Sequence, residues 1–149
     1  MKRAKKGDLY KLIYKGKYYA VQFLETNATF GEVVSVFRLS EKNVDEFGNA
    51  QEIFSLLFPV NAAVREGYLK YVGNYDVLKK YQSQIKLRYP NSEHPSGSVV
   101  SWTIVEQGSR YRLKDLQARD YDYPIAIAVN IEKLEELIDI GWDGRESPP

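Results

Sequence analysis

Three segments rich in β-branched and aromatic side chains occupy the first forty residues, and the links between them are short. Residues 9–14 and 18–24 flank Lys15-Gly16-Lys17, which predicts a β-hairpin closed by a tight turn. Residues 31–39, with four Val and Phe side chains, predict a third strand after a polar loop. Consecutive strands joined in this way form an antiparallel meander, so the chain cannot be all-helical, and a strongly curved sheet or a small barrel is expected.

The middle of the chain has a mixed pattern. Residues 49–58 fit either a short helix or a buried strand, and Pro59 argues against a helix that runs past Phe58. Residues 60–64 are predicted as a further strand. We expect turns at Glu66-Gly67 and Gly73-Asn74, a strand around residues 85–89 and an exposed loop at residues 90–98.

The last third predicts a second hairpin and one helix. Residues 99–106 and 110–113 flank Gln107-Gly108-Ser109, and the apolar run 125–129 predicts a buried strand. Asn130 is a good helix N-cap and Gly141 a good C-terminal stop. Between them, apolar residues at helical spacing form one stripe, and Trp142 is expected to pack back on the sheet. The members of that stripe are Ile131, Leu134, Leu137 and Ile138.

These patterns together predict an α+β fold. It consists of a curved, mostly antiparallel β-sheet, partly barrel-like, with one C-terminal amphipathic helix packed on it. A length of 149 residues suits one domain, 1–149, with a flexible basic arm at 1–6 and a flexible tail at 143–149.

Composition excludes several common enzyme designs. The chain has no Cys and one His, so thiolate nucleophiles, Cys-ligated metals and two-His metal motifs are ruled out within one chain. His94 stands in a segment of Pro, Ser and Gly, and neither a Gly-x-Ser-x-Gly elbow nor a phosphate-binding Gly-rich loop occurs. We therefore predict a protein that is not an enzyme and that needs no cofactor or metal.

The N-terminal segment is basic but is not followed by an apolar run of signal-peptide length. No apolar stretch approaches the roughly 20 residues that a membrane-spanning helix needs. A cytoplasmic protein without a membrane partner is expected.

The order of several short motifs resembles the immunity protein 26 family of bacterial polymorphic toxin systems. The resemblance begins with Lys6-Gly7-Asp8-Leu9-Tyr10 and Lys17-Tyr18-Tyr19-Ala20-Val21-Gln22, and continues with Leu57-Phe58-Pro59-Val60 and Gly67-Tyr68-Leu69-Lys70-Tyr71-Val72-Gly73. It ends with Trp102-Thr103-Ile104, Arg112-Leu113, Tyr123-Pro124-Ile125 and the closing helix through Gly141-Trp142. Residues 79–98 have no counterpart in that pattern. The resemblance implies a cytosolic antidote that binds and neutralises one cognate toxin domain by protein–protein contact.

Toxin domains of such systems are frequently nucleases, whose clefts are basic because they hold phosphates. Carboxylates on the antidote would complement such a cleft and speed association. The candidate toxin-binding residues are the acidic side of the helix and a second acidic cluster with two aromatic anchors. They are Glu132, Glu135, Glu136 and Asp139 on the helix, and Asp115, Asp120, Tyr121, Asp122 and Tyr123 before it.

The alternative hypothesis is a small β-barrel module that binds nucleic acid. Basic side chains interleaved with aromatic ones are typical of surfaces that hold single strands. The candidates are Lys2, Arg3, Lys5 and Lys6 in the arm, with Tyr10, Tyr14, Tyr18 and Tyr19 after it. A formal net charge of +1 makes nucleic acid the less favoured partner.

Overall fold

A computed structural model describes residues 3–40, 47–48, 50–93 and 99–149. In these ranges the chain forms two antiparallel sheets and two α-helices, and its short 3₁₀ segments include Lys79–Tyr81 and Ala118–Asp122. The strands are β1 (Asp8–Tyr14), β2 (Lys17–Asn27), β3 (Gly31–Leu39), β4 (Gln51–Leu57), β5 (Lys70–Asn74), β6 (Leu87–Glu93), β7 (Val99–Glu106) and β8 (Ser109–Leu113), and the helices are α1 (Val60–Arg65) and α2 (Ile131–Asp139).

The first sheet has the strand order β4-β3-β2-β1-β5, so the predicted meander of three strands is confirmed. Lys15 and Gly16 connect β1 to β2, and both have positive φ angles of 50° and 73°. That backbone matches the right-handed twist of a tight hairpin. Among the described strands β4 and β5 are not paired with each other, so the sheet is not closed into a barrel.

The second sheet has the order β6-β7-β8, and the extended segment 124–129 joins it to the first. On one side, the Ile125 and Val129 N–H groups donate to the carbonyls of Ser55 and Leu57 in β4. On the other side, Arg88 in β6 donates to the Pro124 carbonyl and accepts from Ala126. The apolar run predicted as a buried strand is thus a parallel connector with single bridges on both sides.

Two predictions for the middle of the chain are wrong. Residues 60–64 lie in α1 instead of a strand. Pro59 has no N–H for a ladder, and the Glu32 carboxylate accepts the Asn61 N–H at 3.2 Å at the start of the helix. The predicted turn at Gly73-Asn74 lies inside β5. Gly73 has a φ of 147° and lies next to the point where the register between β1 and β5 shifts. This glycine therefore allows the irregularity in β5 and does not form a turn between two strands.

Other ambiguous segments are resolved. Residues 49–58 contain a strand, β4, instead of a helix. The strand expected around residues 85–89 begins at Leu87 and runs to Glu93, so the first part of the predicted loop at 90–98 belongs to β6. The rest of that loop, including His94, lies outside the described residues.

The main core lies between the first sheet and α2. Leu134, Leu137 and Ile138 of α2 are buried in it, and burial of each contributes about 1.5–3 kcal/mol. Trp142, after the helix, packs on Phe54 of β4 with ring centroids 4.9 Å apart, as expected. The α+β class with one C-terminal helix on antiparallel sheets is confirmed.

The segment 143–149, predicted as a flexible tail, contacts the body of the domain. The Trp142 indole N–H donates to the Glu146 carbonyl at 3.0 Å, and the Gly144 and Arg145 carbonyls accept from Arg88. Within the part of the chain that the structure describes, no helix has both the length and the apolar character to cross a membrane.

Candidate functional site

Helix α2 presents its acidic side to solvent because its apolar stripe is fixed in the core. The Asn130 side chain caps the N-terminus by accepting the Lys133 N–H at 2.8 Å. Gly141, with a φ of 71°, follows the last turn in the left-handed conformation that glycine adopts at low cost. The predicted start and stop of this helix are therefore confirmed.

Four carboxylates occupy the outer side of α2 at spacings of three and four residues. Like charges at these spacings are neighbours on a helix surface and repel each other. The pKa of Glu135 is raised, first by partial burial and then by the negative charges of Asp139 and Glu132. We name this set the α2 acidic face; its members are Glu132, Glu135, Glu136 and Asp139.

Two lysines neutralise only part of the α2 acidic face. Asp139 accepts hydrogen bonds from the Tyr14 hydroxyl and from Lys15, whose Nζ lies 3.0 Å away, and these bonds lower its pKa. Glu136 lies 3.3 Å from Lys133. Among the described residues, neither Glu132 nor Glu135 has an ion-pair partner within 4.0 Å.

The second predicted cluster is largely engaged in holding the fold. Asp120 is buried, and its carboxylate accepts the Gln117 N–H at 2.8 Å in a capping box, so it is not accessible to a partner. Asp122 lies 3.7 Å from Lys80, and Asp115 is exposed after β8. The ring of Tyr121 is contacted by Arg145 and Arg88, whose guanidinium carbons lie 4.4 and 5.5 Å from its centroid, and Lys86 lies over Tyr123 at 5.6 Å.

The structure does not merge the two predicted sets into one patch. Asp139 is anchored at the turn between β1 and β2, whereas Asp122 is anchored by Lys80, which also binds Glu52 of β4. No hydrogen bond or ion pair joins the two sets within the described ranges. The α2 acidic face is the part that combines negative charge with exposure.

Arg88 is the most consequential residue that sequence reasoning missed. It is 1% exposed, and its guanidinium donates to the carbonyls of Tyr123, Gly144 and Arg145. The ring of Trp102 lies 4.8 Å from the guanidinium carbon. Burial lowers the pKa of Arg88 to about 10. An arginine in a short strand carries no sequence signal for such a role, because its partners are main-chain groups from distant segments.

The tyrosines of the alternative nucleic-acid hypothesis do not form a stacking platform. Tyr10 and Tyr19 are buried in the main core, and the hydroxyl of Tyr14 is bonded to Asp139. Tyr18 is half-buried. Lys5 and Lys6 are exposed, but no pair of open aromatic faces accompanies them on β1 and β2. Lys2 lies outside the described residues.

A second polar network lies on the opposite face of the first sheet. The Glu52 carboxylate accepts from the Tyr81 hydroxyl at 2.6 Å, from Lys80 at 2.7 Å and from Ser35. This carboxylate is fully partnered, so the network fixes the Lys79–Tyr81 segment to the sheet. No group of three His, Cys, Asp or Glu side chains arranged to hold a metal occurs among the residues that the structure describes.

Comparison of the chain with protein-family models, with curated proteins and with solved structures found no match.

Proposed function

We propose that this protein is a cytoplasmic immunity protein that neutralises a cognate toxin domain by binding it, and that the α2 acidic face is the contact surface. One observation carries the proposal: α2 concentrates four carboxylates on its exposed side with partial compensation from Lys15 and Lys133. The resemblance to the immunity protein 26 family is the reason for naming a toxin as the partner.

The self-repulsion of the α2 acidic face weakens the free protein but favours a complex. Each like-charged pair at helical spacing costs a few tenths of a kcal/mol in an exposed helix. A positively charged partner would remove that cost and gain fast association from complementary charge. The basic cleft of a nuclease has the required sign, because it is built to hold phosphates.

Helix α2 is also a rigid support for such a contact. Leu134 and Leu137 are completely buried, and the helix is capped at both ends. The backbone that carries the carboxylates is therefore held in place before the partner arrives, which limits the entropy lost on binding. We restrict the proposed surface to α2, because Asp120 is enclosed, Asp122 lies near Lys80 away from that helix, and Tyr121 is covered by arginines.

The test is co-purification from the native host with a tagged chain, followed by mass spectrometry and an activity assay of the isolated partner. A stoichiometric toxin domain whose activity is suppressed by adding the wild-type protein supports the proposal. The variant Glu132→Lys/Glu135→Lys should reduce both binding and suppression.

The matched control is Glu66→Lys, which reverses an exposed charge in the turn after α1. It should leave binding unchanged. If the α2 variant suppresses the toxin as well as wild type does, α2 is not the contact surface. If no toxin partner is recovered, the immunity function is wrong.

A further inference from the structure

A groove of about 520 Å³ runs over the exposed face of the second sheet, far in the sequence from α2. It is formed where the loop between β2 and β3 meets strands β6, β7 and β8. Its lining combines aromatic rings, hydrogen-bonding amide or hydroxyl groups, arginines and the aliphatic side chain of Val105. We call it the β8 groove; its lining includes Phe30, Tyr89, Asn91, Thr103, Arg110 and Arg112.

The charged side chains among the described lining residues of the β8 groove are both positive. They are Arg110 and Arg112. Within the described part of the chain, neither arginine lies within 4.0 Å of an acidic group. The two arginines lie two residues apart on the edge strand β8, so both side chains project from the same face of the sheet. This arrangement suits an anionic ligand.

Open aromatic faces accompany these charges. Tyr89 is 42% exposed, and its ring centroid lies 6.3 Å from that of Phe30. The guanidinium carbon of Arg110 lies 5.7 Å from the Phe30 ring centroid, which holds this cation over the groove. A flat, unsaturated ligand group can stack on Tyr89 while Arg110 and Arg112 remain available to its negative charges.

The floor of the groove supplies fixed hydrogen-bonding groups. The Thr103 hydroxyl donates to the Asn91 side-chain oxygen at 2.7 Å, and the Asn91 amide donates to the Ser101 hydroxyl at 3.1 Å. An amide nitrogen carries two N–H donors, and among the residues that the structure describes the second N–H of Asn91 has no acceptor. The pair of bonds holds that donor in a constant orientation.

We propose that the β8 groove binds single-stranded nucleic acid. Stacking of unpaired bases on aromatic side chains, combined with arginine contacts to the phosphates, is the chemistry by which single strands are held. An acidic peptide would satisfy the arginines, but its carboxylates gain nothing from the open face of Tyr89. This function goes beyond the proposed toxin binding and uses a different surface.

The test is fluorescence anisotropy with a labelled single-stranded oligonucleotide of about ten nucleotides, within the length that one small domain covers. Tyr89→Ala should weaken binding about 5- to 160-fold, the effect of losing one base stack. Tyr89→Phe should retain binding, because it keeps the ring. For two phosphate contacts, the log–log salt dependence should have a slope of about −1.4, falling by about 0.7 in Arg112→Ala.

Two controls match these variants in type and exposure. Tyr71→Ala removes a tyrosine that is 53% exposed on β5, and Arg65→Ala removes an exposed arginine at the end of α1. Both should bind as wild type does. Circular dichroism confirms that each variant is folded.

The proposal would be overturned by the absence of oligonucleotide binding at low salt or by equal or tighter binding of the matching duplex. Full binding by the Tyr89→Ala/Arg112→Ala double variant, or preferential binding of a poly-glutamate peptide, would overturn it as well. Loss of binding in Lys5→Ala/Lys6→Ala, with the groove variants unaffected, would place the site on the N-terminal arm instead and would equally refute the groove.

Discussion

Replacing Glu135 with Gln should make the free protein more stable at neutral pH, although it removes a charge from the proposed binding surface. Glu135 has two like-charged neighbours on α2, Glu132 and Asp139. Each like-charged pair costs about 0.2–0.5 kcal/mol, so the loss of both repulsions should raise the free energy of unfolding by about 0.4–1 kcal/mol. Gln and Glu have similar helix propensities, so the substitution tests charge alone. For a chain of this length the gain corresponds to a rise in Tm of about 1–4 °C.

The pH dependence of this difference has a definite sign. The folded state raises the pKa of Glu135 above its ordinary value near 4.5. Between the unfolded and the folded pKa, the folded wild type binds more protons than the unfolded chain. The stability of wild type relative to Glu135→Gln should therefore increase as the pH falls through the raised pKa, and should become constant below about 4.5.

Urea denaturation of both proteins at a series of pH values, followed by tryptophan fluorescence, measures the difference in unfolding free energy. Glu66→Gln is the control, since it removes an exposed carboxylate outside α2. An unchanged or reduced stability of Glu135→Gln at pH 7 would refute the electrostatic argument. It would also remove the main physical reason for treating α2 as a surface adapted to a cationic partner.

Two further predictions concern the supports of the proposed site. Arg88→Met should destabilise the protein by about 3 kcal/mol or more in urea denaturation, because three carbonyl groups lose their buried donor; a loss below 1 kcal/mol would show that water replaces it. Asn130→Ala should lower the free energy of unfolding by about 1 kcal/mol, because the Lys133 N–H loses its cap. Asn130→Asp should retain most of the stability, because it keeps a side-chain oxygen at the cap. Equal effects of the two substitutions would contradict the capping role.

Local patterns were sufficient to predict much of the fold. The turn at Gly16 and the two ends of α2 depend on backbone conformations and caps that particular residue types favour, so they can be read from short windows. Pro59 was expected to prevent a helix from running past Phe58, and the segment before it is strand β4, which ends at Leu57. The segment after it was misassigned because its helix begins under tertiary control: Glu32 of a different strand supplies the acceptor for the first turn.

The candidate surfaces were predictable only in part. The α2 acidic face follows from helical spacing within one segment, so the sequence contains all of it. The burial of Asp120 and the covering of Tyr121 by Arg145 depend on contacts between distant segments. The β8 groove had no sequence signal either, because Phe30, Tyr89 and Arg110 are separated by 59 and 21 residues and meet only when the two sheets are joined.

The net charge of +1 hides two oppositely charged surfaces, the negative α2 acidic face and the positive β8 groove. Because the charges lie on different surfaces, the two proposals can be tested independently. Reversing Glu135 changes the field around α2 but not the rings and arginines of the β8 groove. The variant Glu132→Lys/Glu135→Lys should therefore bind the oligonucleotide no more weakly than wild type does. The variant Tyr89→Ala should still bind the toxin domain. If α2 instead repels the nucleic acid, this charge-reversed variant will bind the oligonucleotide more tightly, with an excess that disappears at high salt. A log–log salt slope steeper than that of wild type by about 0.7 per introduced lysine would instead show direct contact between α2 and the phosphates, and the two surfaces would then form one site.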